Sequence, residues 1–307
     1  MKHLFIINPV AGQGEAVKLR EEILSLGEEL ALDIEIYETK GLGDGEDKAR
    51  QAAASHESIR IYSCGGDGTL NEVINGAYGF THAEIASVPK GTGNDFVRNF
   101  PGDFGDIRGQ ILGTAVDCDL IRYTSQRGVR YCANMFNVGF DSNVVDLTSR
   151  LKKKPLIGGS FAYLLGVLII LIKKEGAHLT IEMEDGTRIT KPILPIAIAN
   201  GSYCGGGVKG VPLSQTDDGL MDVSVVKNVS RRVFVSLFPK YARGTHLETK
   251  KGQEVVEYLQ CKSITVTPVK DTMRTAVDGE IVDAGRTEFE IVPKGFRFVL
   301  PAKEEEQ

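Results

Sequence analysis

The sequence predicts an α/β domain built on a parallel sheet, followed by a largely antiparallel β domain. Three observations carry this. Short apolar runs alternate with amphipathic stretches up to about residue 125, the pattern of successive βαβ units. Beyond Asp117 the apolar segments lengthen and alternate in-out, with few helices between them. The chain of 307 residues also exceeds the usual size of one domain.

Leu4–Asn8 is apolar enough for a buried first strand, and too short in its apolar run to read as a signal peptide. Val17, Leu19, Ile23, Leu24 and Leu26 mark a helical stripe within Glu15–Leu30. Ile34–Tyr37 is a second strand, Asp44–Ala54 a helix, Ile59–Ser63 a strand, Leu70–Ala77 a helix and Ile85–Val88 a strand. Right-handed crossovers are expected between them. Thr187–Asn200, Met221–Lys227, Ser263–Pro268 and Glu288–Leu300 supply the later strands, and the tail Lys303–Gln307 reads as a solvated end. The first domain is placed at residues 1–125 and the second at 126–295.

Composition narrows the function classes. A net charge of −5 argues against a nucleic-acid partner. The five cysteines are odd in number and show no CxxC spacing, so they read as reduced thiols of a cytoplasmic protein and not as a zinc site or disulfide framework. Tyr163–Ile172 is strongly apolar, but a spanning helix needs about 20 such residues, and lysines flank it at Lys152–Lys154 and Lys173–Lys174. It reads as a helix packed on the β domain, or as an interfacial helix whose lysines meet anionic lipid.

The chemistry-bearing feature is a pair of glycine-rich turns, Gly65-Gly66-Asp67-Gly68-Thr69 and Gly91-Thr92-Gly93-Asn94-Asp95, each just after a predicted strand. Glycine lets backbone amides approach an anion, and a helix beginning near Thr69 would aim its positive end at the same place. Asp67 would repel a phosphate, so it calls for a cation or a hydroxyl, as in a Mg²⁺-nucleotide site. The structural alternative is a capping box, with Thr69 as N-cap and Glu72 three residues on.

With Asn71 and Glu72 after the first turn and Phe96 after the second, these motifs resemble the diacylglycerol kinase catalytic-domain family, which includes bacterial soluble lipid kinases and the sphingosine and ceramide kinases. The resemblance spans essentially the whole chain, from Asn8-Pro9-Val10-Ala11-Gly12 through Asp217-Asp218-Gly219-Leu220 to Asp278-Gly279-Glu280. It implies an NAD kinase/diacylglycerol kinase-like α/β domain, a β-sandwich-like domain with the active site in the cleft between the two, and a final strand, 296–307, that returns to the first domain. It implies ATP held by Asn8–Gly12, Thr39, Gly65–Thr69, Asn71, Glu72, Thr92, Asn94 and Asp95, with Mg²⁺ beside Asp67 and Asp95. A carboxylate of Asp278 or Glu280 would take the proton of a lipid hydroxyl, and a structural Mg²⁺ would be held by Asp218 with the carbonyls of Gln215 and Leu220.

Two of these motifs have plain local readings. Asp278-Gly279 between apolar β residues is a strong hairpin signal, and Asp217–Asp222 reads as a turn. The function expected is ATP-dependent phosphorylation of a lipid hydroxyl by a chain that meets its substrate peripherally at a membrane. The alternatives are an NAD kinase-like enzyme, which would share the first turn but not Gly91–Asp95 in this form, and a non-catalytic nucleotide-dependent regulator. Assembly is left open, with a homodimer one option.

Overall fold

A computed structural model describes residues 1–139, 177–269, 273–278 and 280–303. The apolar segment Tyr163–Ile172 and its flanking lysines lie outside the described residues. The chain forms two compact units, Met1–Leu120 with Pro293–Gln307, and Ile121–Val292. The sequence placed the boundary after residue 125 and the return at 296.

The first unit alternates strand and helix: β1 (Lys2–Ile7), a 3₁₀ segment with α1 (Leu19–Glu29), β2 (Asp33–Glu38), α2 (Asp44–Ser55), β3 (Ile59–Gly65), α3 (Asp67–Ala77), β4 (Ala83–Pro89) and α4 (Ile107–Leu112). The strands are parallel, with β1 between β2 and β3, and β3 beside β4. β1, β3 and β4 are buried almost end to end, as strands covered on both faces must be. Phe5, Ile7, Tyr62, Ala86 and Val88 pack with Leu19, Ile23 and Leu26 of α1. The stretch expected to be helical from Glu15 is 3₁₀ over Ala11–Lys18. Glycines at positions 12 and 14 take φ of 59° and 92°, which an α-helix cannot accommodate.

The second unit contains the last five residues of β5 (Thr114–Ser125), then β6 (Gly128–Cys132), β7 (Met135–Gly139), β8 (Ala177–Met183), β9 (Arg188–Ala199) and β10 (Met221–Lys227). It continues with α5 (Arg231–Arg243), α6 (Lys250–Val255), β11 (Val256–Cys261), β12 (Ser263–Pro268), β13 (Met273–Val277) and β14 (Glu280–Ala284). Every pairing among these strands is antiparallel. The last strand, β15 (Thr287–Leu300), pairs antiparallel with β12 through Thr287–Glu290, and its Arg297 and Phe298 pair parallel with β4 in the first unit. The core of the second unit gathers Phe136, Val138, Ile181, Ile196, Ile198, Val223, Ile264 and Phe289.

One ion cluster sits inside the first unit. The buried Arg60 donates through Nε and Nη2 to Glu84 at 2.9 and 2.7 Å, and through Nη1 to the carbonyls of Gln110 and Ile111 at 2.8 and 2.7 Å. Arg297 reaches the other oxygen of Glu84 at 3.0 Å. The cluster joins β3, β4, the end of α4 and the returning strand. A buried pair contributes little net stability when intact, but removing one partner strands a charge at a cost of about 3–5 kcal/mol. Arg60→Met is therefore expected to lower unfolding free energy by that amount in urea titration, and Glu84→Gln by somewhat less because Arg60 keeps its carbonyl acceptors.

Two buried histidines make stability pH-dependent. Burial lowers His3 and His246 to about 4, against the usual 6.5. The unfolded chain then binds these protons first, so their contribution is complete above pH 6.5 and is lost as pH falls toward 4. For one such group the loss is about 3 kcal/mol. His246→Phe should flatten the pH 7 to 4 stability curve by about that much, and a curve parallel to that of the wild type would overturn the assignment.

Candidate active site

The nucleotide-loop residues expected from the sequence converge at one edge of the first unit, at the C-terminal ends of its parallel strands. This is where open α/β sheets bind ligands. Asn8 follows β1 and its amide donates to the Cys64 carbonyl at 3.0 Å, while the Thr39 amide, just past β2, donates to Ile7 at 2.9 Å. Asn8 Nδ2 donates to Thr69 Oγ1 at 3.2 Å, and Asn8 Oδ1 accepts from the Val10 amide at 3.2 Å. The turn Asn8–Gly12 is thereby tied to the start of α3. Val10 and Thr92 are exposed, and Pro9 is half-buried.

The two glycine turns lock against each other. The Lys90 and Gly91 amides donate to the Gly65 carbonyl at 2.7 and 3.1 Å. A Cβ on Gly66 would stand 3.2 Å from Gly91 Cα, and one on Gly91 would overlap Gly66 Cα outright. Asn94 takes φ of 50° and closes its own loop, accepting from the Gly91 amide at 3.1 Å and donating to the Gly91 carbonyl at 2.8 Å. Arg98, which sequence reading did not single out, donates through Nη2 to the Gly93 carbonyl at 3.1 Å.

Asp67, read as calling for a cation or a hydroxyl, also accepts the amides of Asn94 and Asp95 at 2.8 and 2.7 Å, joining one turn to the other. One expectation needs correction: the capping box does not form. Gly66 is the N-cap of α3 and Thr69 lies within the helix. Glu72 reaches away to accept the amides of Gly43 and Gly45 at 2.8 and 3.0 Å, capping α2. Gly76 permits the close approach that makes this reach possible, since a Cβ there would overlap the Glu46 carbonyl of α2. Asn71 is buried in α3, its carbonyl accepting from Asn75 Nδ2 at 2.9 Å.

In the second unit, β13 and β14 pair antiparallel up to Val277 and Glu280, so the hairpin expected from the sequence is present. Asp278 adopts φ of 44°, the left-handed value such a two-residue turn needs. Its carboxylate is buried and accepts the amides of Ala133 at 3.2 Å, Asn134 at 3.3 Å and Met135 at 3.0 Å, with Cys132 Sγ at 3.0 Å. Burial, and the nearby carboxylate after it, push the Cys132 thiol well up, so it remains a neutral donor. Asn200 Nδ2 donates to the Ala133 carbonyl at 2.9 Å, steadying the same turn. Sequence reading did not find this Cys132–Met135 anchor, because nothing local to it signals a partner some 145 residues away.

The loop before β10 holds Asp218, which accepts the Leu220 amide at 3.0 Å around Gly219 at φ 73°. Four residues on, Asp222 is wholly buried, and burial raises it to about 6. Among the described residues no three His, Cys, Asp or Glu side chains group as metal ligands. A cation at Asp218 would therefore draw on backbone oxygens, as the carbonyls of Gln215 and Leu220 would supply.

Asp67→Ala is expected to strand two loop amides and lower stability by about 1–3 kcal/mol. Nucleotide affinity should fall with it, because the two turns lose their register. Isothermal titration beside thermal unfolding checks both, and unchanged affinity would detach Asp67 from the nucleotide loops.

The diacylglycerol kinase catalytic-domain model matches residues 2–123, and the YegS C-terminal NAD kinase β-sandwich-like domain matches residues 134–300. A Bacillus subtilis diacylglycerol kinase is 27% identical over 308 residues, covering 98% of this chain and 97% of the relative. A Staphylococcus epidermidis diacylglycerol kinase is 29% identical, covering 90% and 84%. A Stenotrophomonas maltophilia protein named "Probable lipid kinase YegS-like" is 29% identical, covering 88% of each chain. The fold matches that of a candidate diacylglycerol kinase from Bacillus anthracis at a TM-score of 0.76, with 24% identity and 97% and 94% coverage. It matches an ATP-bound NAD kinase from Archaeoglobus fulgidus at 0.52, with 11% identity and 99% and 94% coverage. Matched by these two domain models across nearly its whole length, the chain belongs to the diacylglycerol kinase family of lipid kinases.

Proposed function

We propose that this lipid kinase transfers the γ-phosphate of ATP to the hydroxyl of a diacylglycerol-type lipid. The observation that carries the reading is the locked pair of turns at Gly65–Thr69 and Gly91–Asp95, with the α3 N-terminus beside them. Backbone amides and a helix end held at a strand edge suit a polyphosphate. Asn8–Gly12, Thr39 and Thr92 line the same edge and would complete the nucleotide contacts. The curated relatives named diacylglycerol kinase support the acceptor class, and the ATP-bound NAD kinase of similar fold supports the nucleotide.

Phosphoryl transfer demands positioning and charge neutralisation more than covalent chemistry from the protein. Mg²⁺, when bound, neutralises phosphate charge, and Asp95 and Asp67 are the carboxylates at this edge that would face it. The hydroxyl proton needs an acceptor. Asp278 already receives four donors, so it serves to position the hairpin, and we assign proton acceptance to Glu280, two residues on at the start of β14. An acceptor dissolved in a bilayer would be met peripherally. The five buried cysteines, none of them in a disulfide, suit a reducing, cytoplasmic compartment.

An ATP-consumption assay tests this with diacylglycerol, a polyprenol, a phosphatidylglycerol-type lipid, a sphingoid base and NAD offered in turn. Turnover with diacylglycerol is expected; turnover with NAD alone, or none with any lipid, would overturn the reading. Glu280→Gln should cost at least 100-fold in turnover, about 2.7 kcal/mol of barrier, at wild-type stability and ATP affinity. Asp278→Asn should instead lower stability, since one of its oxygens can no longer accept an amide.

The oxygen-only set at Asp218, Gln215 and Leu220 suits a structural Mg²⁺. Chelator should then lower the melting temperature of the wild type by mass action but leave that of Asp218→Ala unmoved. Equal response of both proteins would reduce the loop to a turn.

A further inference from the structure

The helix α5, Arg231–Arg243, carries a feature that neither the nucleotide edge nor the hairpin uses. Its sequence, RRVFVSLFPKYAR, contains four cations and no acid. Leu237 and Tyr241 are buried, packing with Leu194, Val226, Val255 and Val256. On the opposite face Arg231, Arg232, Val235, Ser236, Pro239, Lys240 and Arg243 are all exposed. Val235 stands 54% exposed in the middle of those cations. Along the edge of that face, the half-buried Phe234 and Phe238 stack at 5.7 Å between ring centroids.

Helix stability does not account for this arrangement. Lys240 and Arg243 complement the negative C-terminal end of the helix, but Arg231 and Arg232 occupy the first turn, where the helix dipole disfavours cations and which contains no acidic residue. The excess continues beyond the helix. Between Asn228 and Gln253 stand six cations and one acid, Glu248, in a chain whose net charge is −5. A general solubilising surface would mix the signs.

We propose that the exposed face of α5 docks the enzyme on an anionic lipid bilayer. Cations flanking a central apolar side chain, with aromatic rings at the edge, match an interfacial helix whose apolar residues enter the headgroup layer while its cations meet phosphate. A nucleic acid would pair with the cations but offer the exposed Val235 no apolar contact. The proposal rests on the reading of a lipid acceptor, which a bilayer would present.

Each cation near an anionic surface contributes about a fivefold increase in binding. The variant Arg231→Gln/Arg232→Gln/Lys240→Gln should therefore bind vesicles of phosphatidylcholine with 30 mol% phosphatidylglycerol roughly 100-fold more weakly than wild type in co-sedimentation. Wild-type binding should fall steeply with added salt and be weak on pure phosphatidylcholine. Val235→Asp, which keeps all four cations, should weaken binding as well. Phosphorylation of a short-chain diacylglycerol dispersed in detergent should be unchanged in both variants.

Vesicle binding equal in the triple variant and wild type, or no wild-type binding at all, would overturn the proposal. So would equal binding of Val235→Asp together with capture of RNA, since the face would then be a polyanion site without apolar insertion. If α5-dependent vesicle binding persists while wild-type enzyme fails to phosphorylate the dispersed acceptor, the docking stands and the lipid-kinase reading fails.

Discussion

The nucleotide edge depends on one steric constraint, the backbone contact between Gly66 and Gly91. No side chain fits between these two turns. Their closeness lets the Gly65 carbonyl receive two amides from the second turn and lets the Asp67 carboxylate span to Asn94 and Asp95. Charge-assisted hydrogen bonds to backbone amides are about twice as strong as neutral ones, so Asp67 holds the turns firmly once glycine has admitted them. Without the contact, the two loops would be separate and mobile relative to one another, with the ordering cost falling on any ligand they bind.

The second unit uses the same device with different parts. Asp278 lies at a hairpin tip in a left-handed conformation, and its carboxylate gathers the consecutive amides of Ala133, Asn134 and Met135. In both units an acid that sequence reasoning would assign to chemistry is first a fastener of backbone. The oxygens of Asp278 are thus already committed to the donors of Cys132–Met135.

Much of the fold was legible because it rests on local signals. The parallel strands are continuous apolar runs, and β9, β10, β12 and β15 lie within a residue of where alternation placed them. The hairpin at Asp278 follows from Asp-Gly chemistry, and the turns at Gly65 and Gly91 from their glycines. What escaped was whatever is set by contact between distant segments. Glu72 matches a capping box by spacing, yet caps the neighbouring helix because Gly76 lets α2 approach. The 3₁₀ stretch at Ala11–Lys18 lies under an apolar stripe that periodicity alone reads as α-helix. The Cys132–Met135 anchor and the Arg60–Glu84–Arg297 cluster have no signature along the chain, since their partners meet only after the sheets have formed.

The likeness to an NAD kinase at 11% identity shows that this architecture does not by itself select a phosphate acceptor. Discrimination has to come from local parts. Asn94 fixes one loop: its left-handed backbone and its paired bonds to Gly91 shape the second turn in a way that a simple glycine loop would not. Because these bonds close the turn on itself, its geometry is set by the chain alone. In the β unit the Asp278 hairpin is likewise fixed by the chain itself, through three consecutive backbone amides and the Cys132 thiol.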